Sequence, residues 1–326
     1  MSDDFNPSWL IRHHQIQSIL ATKSPRRRLW LKRGSRMEAV QQFHVLEAEP
    51  GVKLTGMHSR QPDGTPPRGL CVLIHGWEGS HESVYLYSMA CALYQAGYNI
   101  FRLNLRDHAG SHHLNEELFH SARMSEVLGA IEQVLTLDAT RRLYVAGFSL
   151  GGNFALRVGL QGPARGIVPR LTVGISPSIN PGATLAAIDS GPFVFKKYFL
   201  KKWRDTLRAK KAVWPKYDFS AYYELENFVE TTRHFVSEHT EYASLDDYLA
   251  QYTLTPQMLM EGPAPLAVIT AIDDSVIPHA DFAGLAERGS MVRYLATAHG
   301  GHCGFIENLR LSSWAERRVL EWFEAF

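Results

Sequence analysis

Leu143-Tyr144-Val145-Ala146-Gly147-Phe148-Ser149-Leu150-Gly151-Gly152 is an apolar run that ends in a serine with a glycine two residues to either side. The pattern G-x-S-x-G predicts a β-strand that turns so sharply into a helix that the serine is held in a strained backbone conformation. Side chains two residues before and after the serine would collide in such a turn, and Gly147 and Gly151 remove that collision. A helix starting near Leu150 and running through Phe154, Ala155 and Val158 would aim its unpaired first N–H groups at the serine oxygen. An anionic intermediate would be favoured there. The short pattern also recurs by chance, and an ordinary turn explains glycines equally well, so the residues that could act with Ser149 decide its meaning.

The composition narrows the classes of function. The chain has 326 residues, 45% of them hydrophobic, which suits one large globular domain carrying an insertion. Its 34 Lys and Arg against 33 Asp and Glu leave a formal charge of +1, so no global attraction for nucleic acid is expected. Cys71, Cys91 and Cys303 are odd in number and far apart. They indicate neither a disulfide framework nor a C-x-x-C metal site and fit a reducing, cytoplasmic location. Met1-Ser2-Asp3-Asp4-Phe5 is acidic where a signal peptide would be basic, and no run of about 18 apolar residues occurs. Neither secretion nor a membrane span is expected.

Residues 1–45 read as an N-terminal extension folded against the domain, because Trp9, Leu10, Ile11, Ile16, Ile19 and Leu20 recur at roughly helical spacing. The cluster Arg26-Arg27-Arg28 that follows reads as a solvated face. Between His44 and Arg60 two strands meet around Glu49-Pro50-Gly51, which predicts an antiparallel hairpin opening the sheet. Strand and helix then alternate: strand 69–75, helix 84–95, strand 98–105, helix 122–135, the Ser149 strand and helix, and strand 171–175. After Ser176 the alternation gives way to helical, aromatic-rich sequence and resumes at Pro265. Residues 178–259 therefore read as a helical cap insertion, with 46–177 and 260–326 forming the core. A helix at 278–286, a last strand near 291–295 and a closing helix at 306–323 complete the prediction. Continuous apolar strands separated by amphipathic helices predict an α/β fold whose mostly parallel sheet is covered on both faces.

A nucleophilic serine needs a base, an acid that orients the base, and donors for the oxyanion. The strand ending at Ile272 runs into Asp273-Asp274-Ser275, which puts two carboxylates at the C-terminal edge of the sheet, where open α/β sheets assemble their sites. Asp274 is the candidate acid, with Asp273 as the alternative and a pair of solvated turn acids as the plain reading. The loop Ala298-His299-Gly300-Gly301-His302-Cys303-Gly304 carries two histidines, of which His302 is the candidate base and His299 the alternative. Imidazole suits the task because its ordinary pKa of about 6.5 lets it accept and return a proton near neutrality. For the oxyanion, the N–H of Leu150 is one candidate donor and that of Trp77, in His75-Gly76-Trp77-Glu78-Gly79, is the second.

Taken together, His75-Gly76-Trp77-Glu78-Gly79, Gly147-Phe148-Ser149-Leu150-Gly151-Gly152-Asn153, the Asp273-Asp274 pair, Gly300-Gly301-His302 and Leu118-Phe119-His120 resemble the YheT-like branch of the α/β-hydrolase superfamily. The order Ser149, Asp274, His302 is also the chain order of that superfamily. The resemblance covers roughly residues 40–326 and implies the α/β-hydrolase fold. It further implies a carboxylic ester hydrolase using Ser149, Asp274 and His302 without a cofactor. One departure is Arg106-Asp107-His108-Ala109-Gly110, where such proteins usually carry a glycine directly after the arginine.

His108, His112, His113 and His120 follow closely on that loop, but their spacing matches no familiar zinc pattern, so no metal is expected. In the cap, Phe195, Phe199, Trp203 and Leu207 recur every four residues among Lys196, Lys197, Lys201, Lys202, Arg204 and Arg208. This basic amphipathic helix reads as a lid packed over the site, or as a peripheral contact with anionic lipid. Either suits a small-molecule ester or lipid substrate with an apolar acyl chain. A non-catalytic binding protein on the same fold and a lipid acyltransferase are the competing readings.

Overall fold

The computed structural model describes residues 5–22, 26–285 and 292–326. Three helices come first: α1 (His14–Thr22), α2 (Arg26–Arg33) and α3 (Ser35–Ala39). The sheet opens with β1 (Gln41–Glu49), β2 (Val52–Ser59) and β3 (Leu70–Ile74), followed by α4 (Val84–Gln95), β4 (Asn99–Asn104), α5 (Met124–Leu137), β5 (Leu143–Phe148), α6 (Leu150–Gln161) and β6 (Leu171–Ile175). Six helices then precede the next strand: α7 (Pro181–Ser190), α8 (Phe193–Val213), α9 (Ser220–Glu224), α10 (Phe228–His239), α11 (Leu245–Ala250) and α12 (Pro256–Met260). The chain closes with β7 (Leu266–Ala271), β8 (Val292–Thr297) and α13 (Trp314–Ala325).

The eight strands pair in the order β1-β2-β4-β3-β5-β6-β7-β8. β2 runs antiparallel to both β1 and β4, and every pairing from β4 through β3 to β8 is parallel. β3, β5, β6 and β7 are buried along their whole length, as expected for strands with helices on both faces. Alternate residues of β3 divide between the two layers: Leu70, Val72 and Ile74 pack with α5 and α6, whereas Cys71 and Leu73 pack with α4 and α13. Strand order reverses direction at β3, with β4 on one side of it and β5 on the other. The crevice beyond the C-terminal ends of β3 and β5 is therefore the topological switch point where such sheets bind ligands.

Several expectations need correction. β1 begins at Gln41, inside the stretch expected to be extension. Trp9, Leu10, Ile16 and Ile19 are exposed, while the buried side chains of α1 are Gln17, Ser18 and Ala21. Arg26 is not solvated: it is 1% exposed, ion-paired with Glu316 and hydrogen-bonded to Ser88 Oγ. The helix expected at 278–286 is a 3-10 turn, His279–Phe282, because Pro278 is extended and Gly284 has φ +94°; residue 286 lies outside the described residues, as does Met291 at the start of the expected strand. The closing helix starts at Trp314 rather than near 306, since Phe305 and Leu311 take positive φ and Ile306 pairs with Ser313.

Candidate active site

β5 delivers Ser149 into the crevice with φ 53° and ψ −121°, a conformation that non-glycine residues rarely adopt. The flanking glycines make this possible in two different ways. A Cβ on Gly147 would lie 2.0 Å from the carbonyl oxygen of Gly151, as the collision argument expects. A Cβ on Gly151 would instead meet the carbonyls of Ile74 and His75 at 2.3 Å, so this glycine lets the turn pack against the end of β3. Ser149 N–H donates to Ile175 O at 2.9 Å, which ties the turn to β6 as well.

The ends of β7 and β8 bring the other two groups. His302 Nε2 stands 3.0 Å from Ser149 Oγ, and His302 Nδ1 stands 3.0 Å from Asp274 Oδ2. An ionised carboxylate only accepts, so Nδ1 carries the proton toward Asp274 and Nε2 is left to accept the serine hydroxyl. The other carboxylate oxygen, Asp274 Oδ1, accepts from the N–H groups of Val276 and Ile277 at 2.8 and 3.0 Å, which fixes the side chain completely buried. Burial disfavours a charged His302 ring and the Asp274 carboxylate at Nδ1 favours it, a balance that raises the pKa of the ring and makes Nε2 a stronger acceptor for the serine proton. Of the alternatives, Asp273 Oδ1 accepts from Gly301 N–H at 2.8 Å, and His299 faces Asp273 at 3.6 Å; neither is brought to Ser149.

The turn after β3 lies directly beside the serine, where a Cβ on Gly76 would come 3.3 Å from Ser149 Cβ. Three of its N–H groups are engaged: Gly76 donates to Tyr85 Oη at 3.0 Å, Glu78 to His108 Nε2 at 3.1 Å, and Gly79 to Gly76 O at 3.0 Å. Among the described residues Trp77 N–H has no such acceptor. Leu150 is the first residue of α6, so its N–H has no partner within the helix. Among the described residues neither N–H has a hydrogen-bond partner, and both residues line the crevice beside Ser149. His75 also braces the turn, donating from Nδ1 to Gly76 O and accepting at Nε2 from Leu105 N–H.

Helices α7, α8, α10 and α11 cover a cavity with Ser149, Leu150 and Trp77 in its wall. Trp77 meets Trp203 and Phe228 edge-on at 5.5 and 5.3 Å, and Phe199 at 6.1 Å. Leu185, Ile188, Leu207 and Phe235 extend the apolar lining. Glu78 interrupts it. Its carboxylate accepts from Thr206 Oγ on α8, and burial pushes its pKa up to about 7 against the pull of Thr206 and Lys202.

Of the histidines after β4, His108 braces the turn after β3. His108 Nδ1–H donates to Arg106 O at 2.6 Å, leaving Nε2 to hold the Glu78 N–H. Burial, with help from His112 and Lys202, lowers its pKa to about 4, so the ring is neutral. His120 is buried against Tyr242 and Tyr248. Among the described residues no three His, Cys, Asp or Glu side chains are placed to hold a metal ion. Sequence reasoning considered His108 only for metal binding and missed its bond to Glu78 N–H, the Tyr85 acceptor nine residues from Gly76, and the contacts of Glu78 with Thr206 and of Asp107 with Lys210, whose partners lie more than 100 residues apart.

The family model described as the alpha/beta hydrolase family matches residues 71–311. YheT of Escherichia coli K12, a proposed esterase by name, is 23% identical over 274 residues, covering 82% of this chain and 80% of that protein. The human phospholipase ABHD3 is 23% identical over 265 residues; the match covers 79% of this chain but 64% of the phospholipase. Among solved structures, the Pyrococcus furiosus esterase Pf2001 superposes with a TM-score of 0.57 at 16% identity, covering 87% of this chain and 90% of the esterase. Carboxylesterase CesB from Bacillus subtilis does so with a TM-score of 0.53 at 14% identity, covering 92% and 98%.

Proposed function

This chain belongs to the α/β-hydrolase family, and from that premise we propose that it hydrolyses carboxylic esters of apolar acyl chains through an acyl-enzyme on Ser149. His302 Nε2 takes the hydroxyl proton as Oγ attacks the ester carbonyl carbon. Asp274 holds the ring and favours the imidazolium that forms. The carbonyl oxygen, now an anion, is received by the N–H groups of Leu150 and Trp77. Collapse of this intermediate breaks the bond to the alcohol oxygen, which leaves with the proton from His302. Water, deprotonated by the same nitrogen, then attacks the acyl carbon and frees the acid and Ser149.

The single observation that carries this reading is the continuous 3.0 Å and 3.0 Å chain from Asp274 through His302 to a strained Ser149 that opens into an apolar cavity. The aromatic cluster on Trp77 favours acyl groups over charged ones. Residues 178–259 serve as the cap over that cavity. The start of α8, where Phe193 is 67% exposed beside Lys197, is the surface we assign to contact with anionic lipid as substrate arrives.

Turnover of p-nitrophenyl esters of increasing chain length by wild type and Ser149→Ala tests the reading, together with labelling by a fluorophosphonate probe. Wild type is expected to be labelled and active, and Ser149→Ala to be neither. Equal rates for the two proteins would reject the nucleophile, and an unlabelled, inactive wild type would favour a binding protein.

A further inference from the structure

We infer that α1 is part of the catalytic apparatus, with Gln17 and Ser18 acting as positioning residues for the loop that carries His302. The inference rests on the proposed role of His302 as base.

The loop needs an outside restraint. Gly300, Gly301, Cys303 and Phe305 all have positive φ, and for the two non-glycine residues this is a costly conformation that surrounding contacts must impose. α1 supplies those contacts with polar side chains. His302 N–H donates to Ser18 Oγ at 2.9 Å, and the same hydroxyl donates to His14 O at 2.8 Å, so it is anchored to its own helix while it holds the peptide of the base. Gln17 is 0% exposed. Its Oε1 accepts from Ile306 N–H at 2.7 Å, and its Nε2 donates to Ile306 O at 3.0 Å and to Ile11 O at 2.9 Å. One amide thereby satisfies both peptide groups of a residue on the far side of the loop.

The backbones also touch. A Cβ on Gly301 would lie 2.2 Å from His14 O, and one on Gly304 would lie 2.8 Å from the Gln17 carbonyl carbon. Two loop glycines thus permit the approach of α1, and the two buried side chains hold the loop there. Proton transfer depends on a 3.0 Å contact between His302 Nε2 and Ser149 Oγ, and misplacement of a catalytic group by about 1 Å can cost on the order of 100-fold in rate. Restraint on either side of His302 acts directly on that contact. α1 lies outside residues 71–311 that the family model matches.

The test uses the full chain with Ser18→Ala, which deletes one hydroxyl, and Gln17→Met, which keeps side-chain length but makes no hydrogen bond to Ile306. kcat and KM for a short p-nitrophenyl ester and the rate of fluorophosphonate labelling are measured well below the melting temperature of each variant. The expected result is a kcat lowered about tenfold in each, KM within about twofold of wild type, and labelling slowed in parallel. A purely structural role would lower the melting temperature and leave kcat of the folded protein alone. Wild-type kcat and labelling in folded Ser18→Ala overturn the inference, whether or not Gln17→Met folds. Ser149→Ala separates this from the wider reading: turnover by that variant removes the serine mechanism itself, whereas its inactivity beside a fully active Ser18→Ala removes only the role of α1.

Discussion

Lys210 Nζ lies 2.8 Å from Asp107 Oδ1, with side chains 0% and 1% exposed, and this pair fastens the C-terminal half of α8 to the loop after β4. The ammonium also donates to Asn115 O and Glu117 O, and Asp107 Oδ2 accepts from Phe119 N–H. Asp107 has φ 59° at the position where YheT-like proteins usually carry glycine. The departure is therefore accommodated in the conformation a glycine would take, held there by a side chain that the cap neutralises. Burial raises the Asp107 pKa and lowers that of Lys210, each partly offset by the other.

Removing one partner of such a pair leaves an uncompensated buried charge, at a cost of about 3–5 kcal/mol. Lys210→Met is expected to lose stability on that scale in urea unfolding. The double variant Asp107→Gly, Lys210→Met removes both charges and relaxes the backbone, so it should recover most of the loss. A double variant no more stable than Lys210→Met would mean that the pair is not what holds this loop.

Strain at the serine makes an independent prediction. Ser149→Ala and Ser149→Gly both delete the hydroxyl and so both abolish turnover, but only glycine is at ease with φ 53° and ψ −121°. Such a residue stores about 1–3 kcal/mol, part of which glycine gives back through the greater freedom of its unfolded chain. Ser149→Gly should therefore melt above Ser149→Ala. Equal melting temperatures would show that the strain is no larger than the cost of glycine's freer unfolded chain.

The parts of the site visible in the sequence are those whose residue types are scarce and whose place follows from strand ends. Ser149, the Asp273-Asp274 pair and the two loop histidines each follow an apolar run, and the parallel sheet carries all three run ends to one rim. Which of two adjacent carboxylates turns inward depends on the N–H groups that receive the other oxygen, here those of Val276, Ile277 and Gly301, and no pattern encodes that. The buried face of α1 is hidden from the sequence for a related reason. Apolar periodicity assumes an apolar buried face, but this helix docks on loop peptides that require hydrogen bonds, so Gln17 and Ser18 face inward and Ile16 and Ile19 face out. Arg26 and Lys210 sit in basic runs that look solvated, and each is buried by a carboxylate more than 100 residues away.

Glu78 makes stability depend on pH. Burial holds its folded-state pKa at about 7, above the value of about 4.5 for an exposed glutamate. Between those two values the unfolded chain has released the proton that the folded chain keeps, so stability falls as pH rises through this window. Glu78→Gln keeps an acceptor for Thr206 Oγ and has no proton to lose. The difference in melting temperature between pH 5 and pH 8 should accordingly shrink in Glu78→Gln, with the variant gaining on wild type at pH 8. A wild-type profile that rises from pH 5 to pH 8 and is unchanged by the substitution would exclude the buried, protonated carboxyl.

The two adjacent aspartates provide the last test, because they differ in what they hold and not in chemistry. Asp274 is completely buried and receives His302 Nδ1–H, so Asp274→Asn would keep the shape while offering the ring an amide in place of a carboxylate. The amide can donate to Nδ1 and turn the imidazole to the tautomer whose Nε2 bears the proton, which cannot accept from Ser149; in serine proteases this substitution lowers kcat about 10⁴-fold. Asp273→Asn retains an oxygen for Gly301 N–H and leaves the His302 ring untouched, so kcat should stay within about tenfold of wild type. Measured on one p-nitrophenyl ester, the ratio of the two effects identifies the orienting acid. A larger loss in Asp273→Asn than in Asp274→Asn would transfer that role to Asp273 and require the loop to rearrange during turnover.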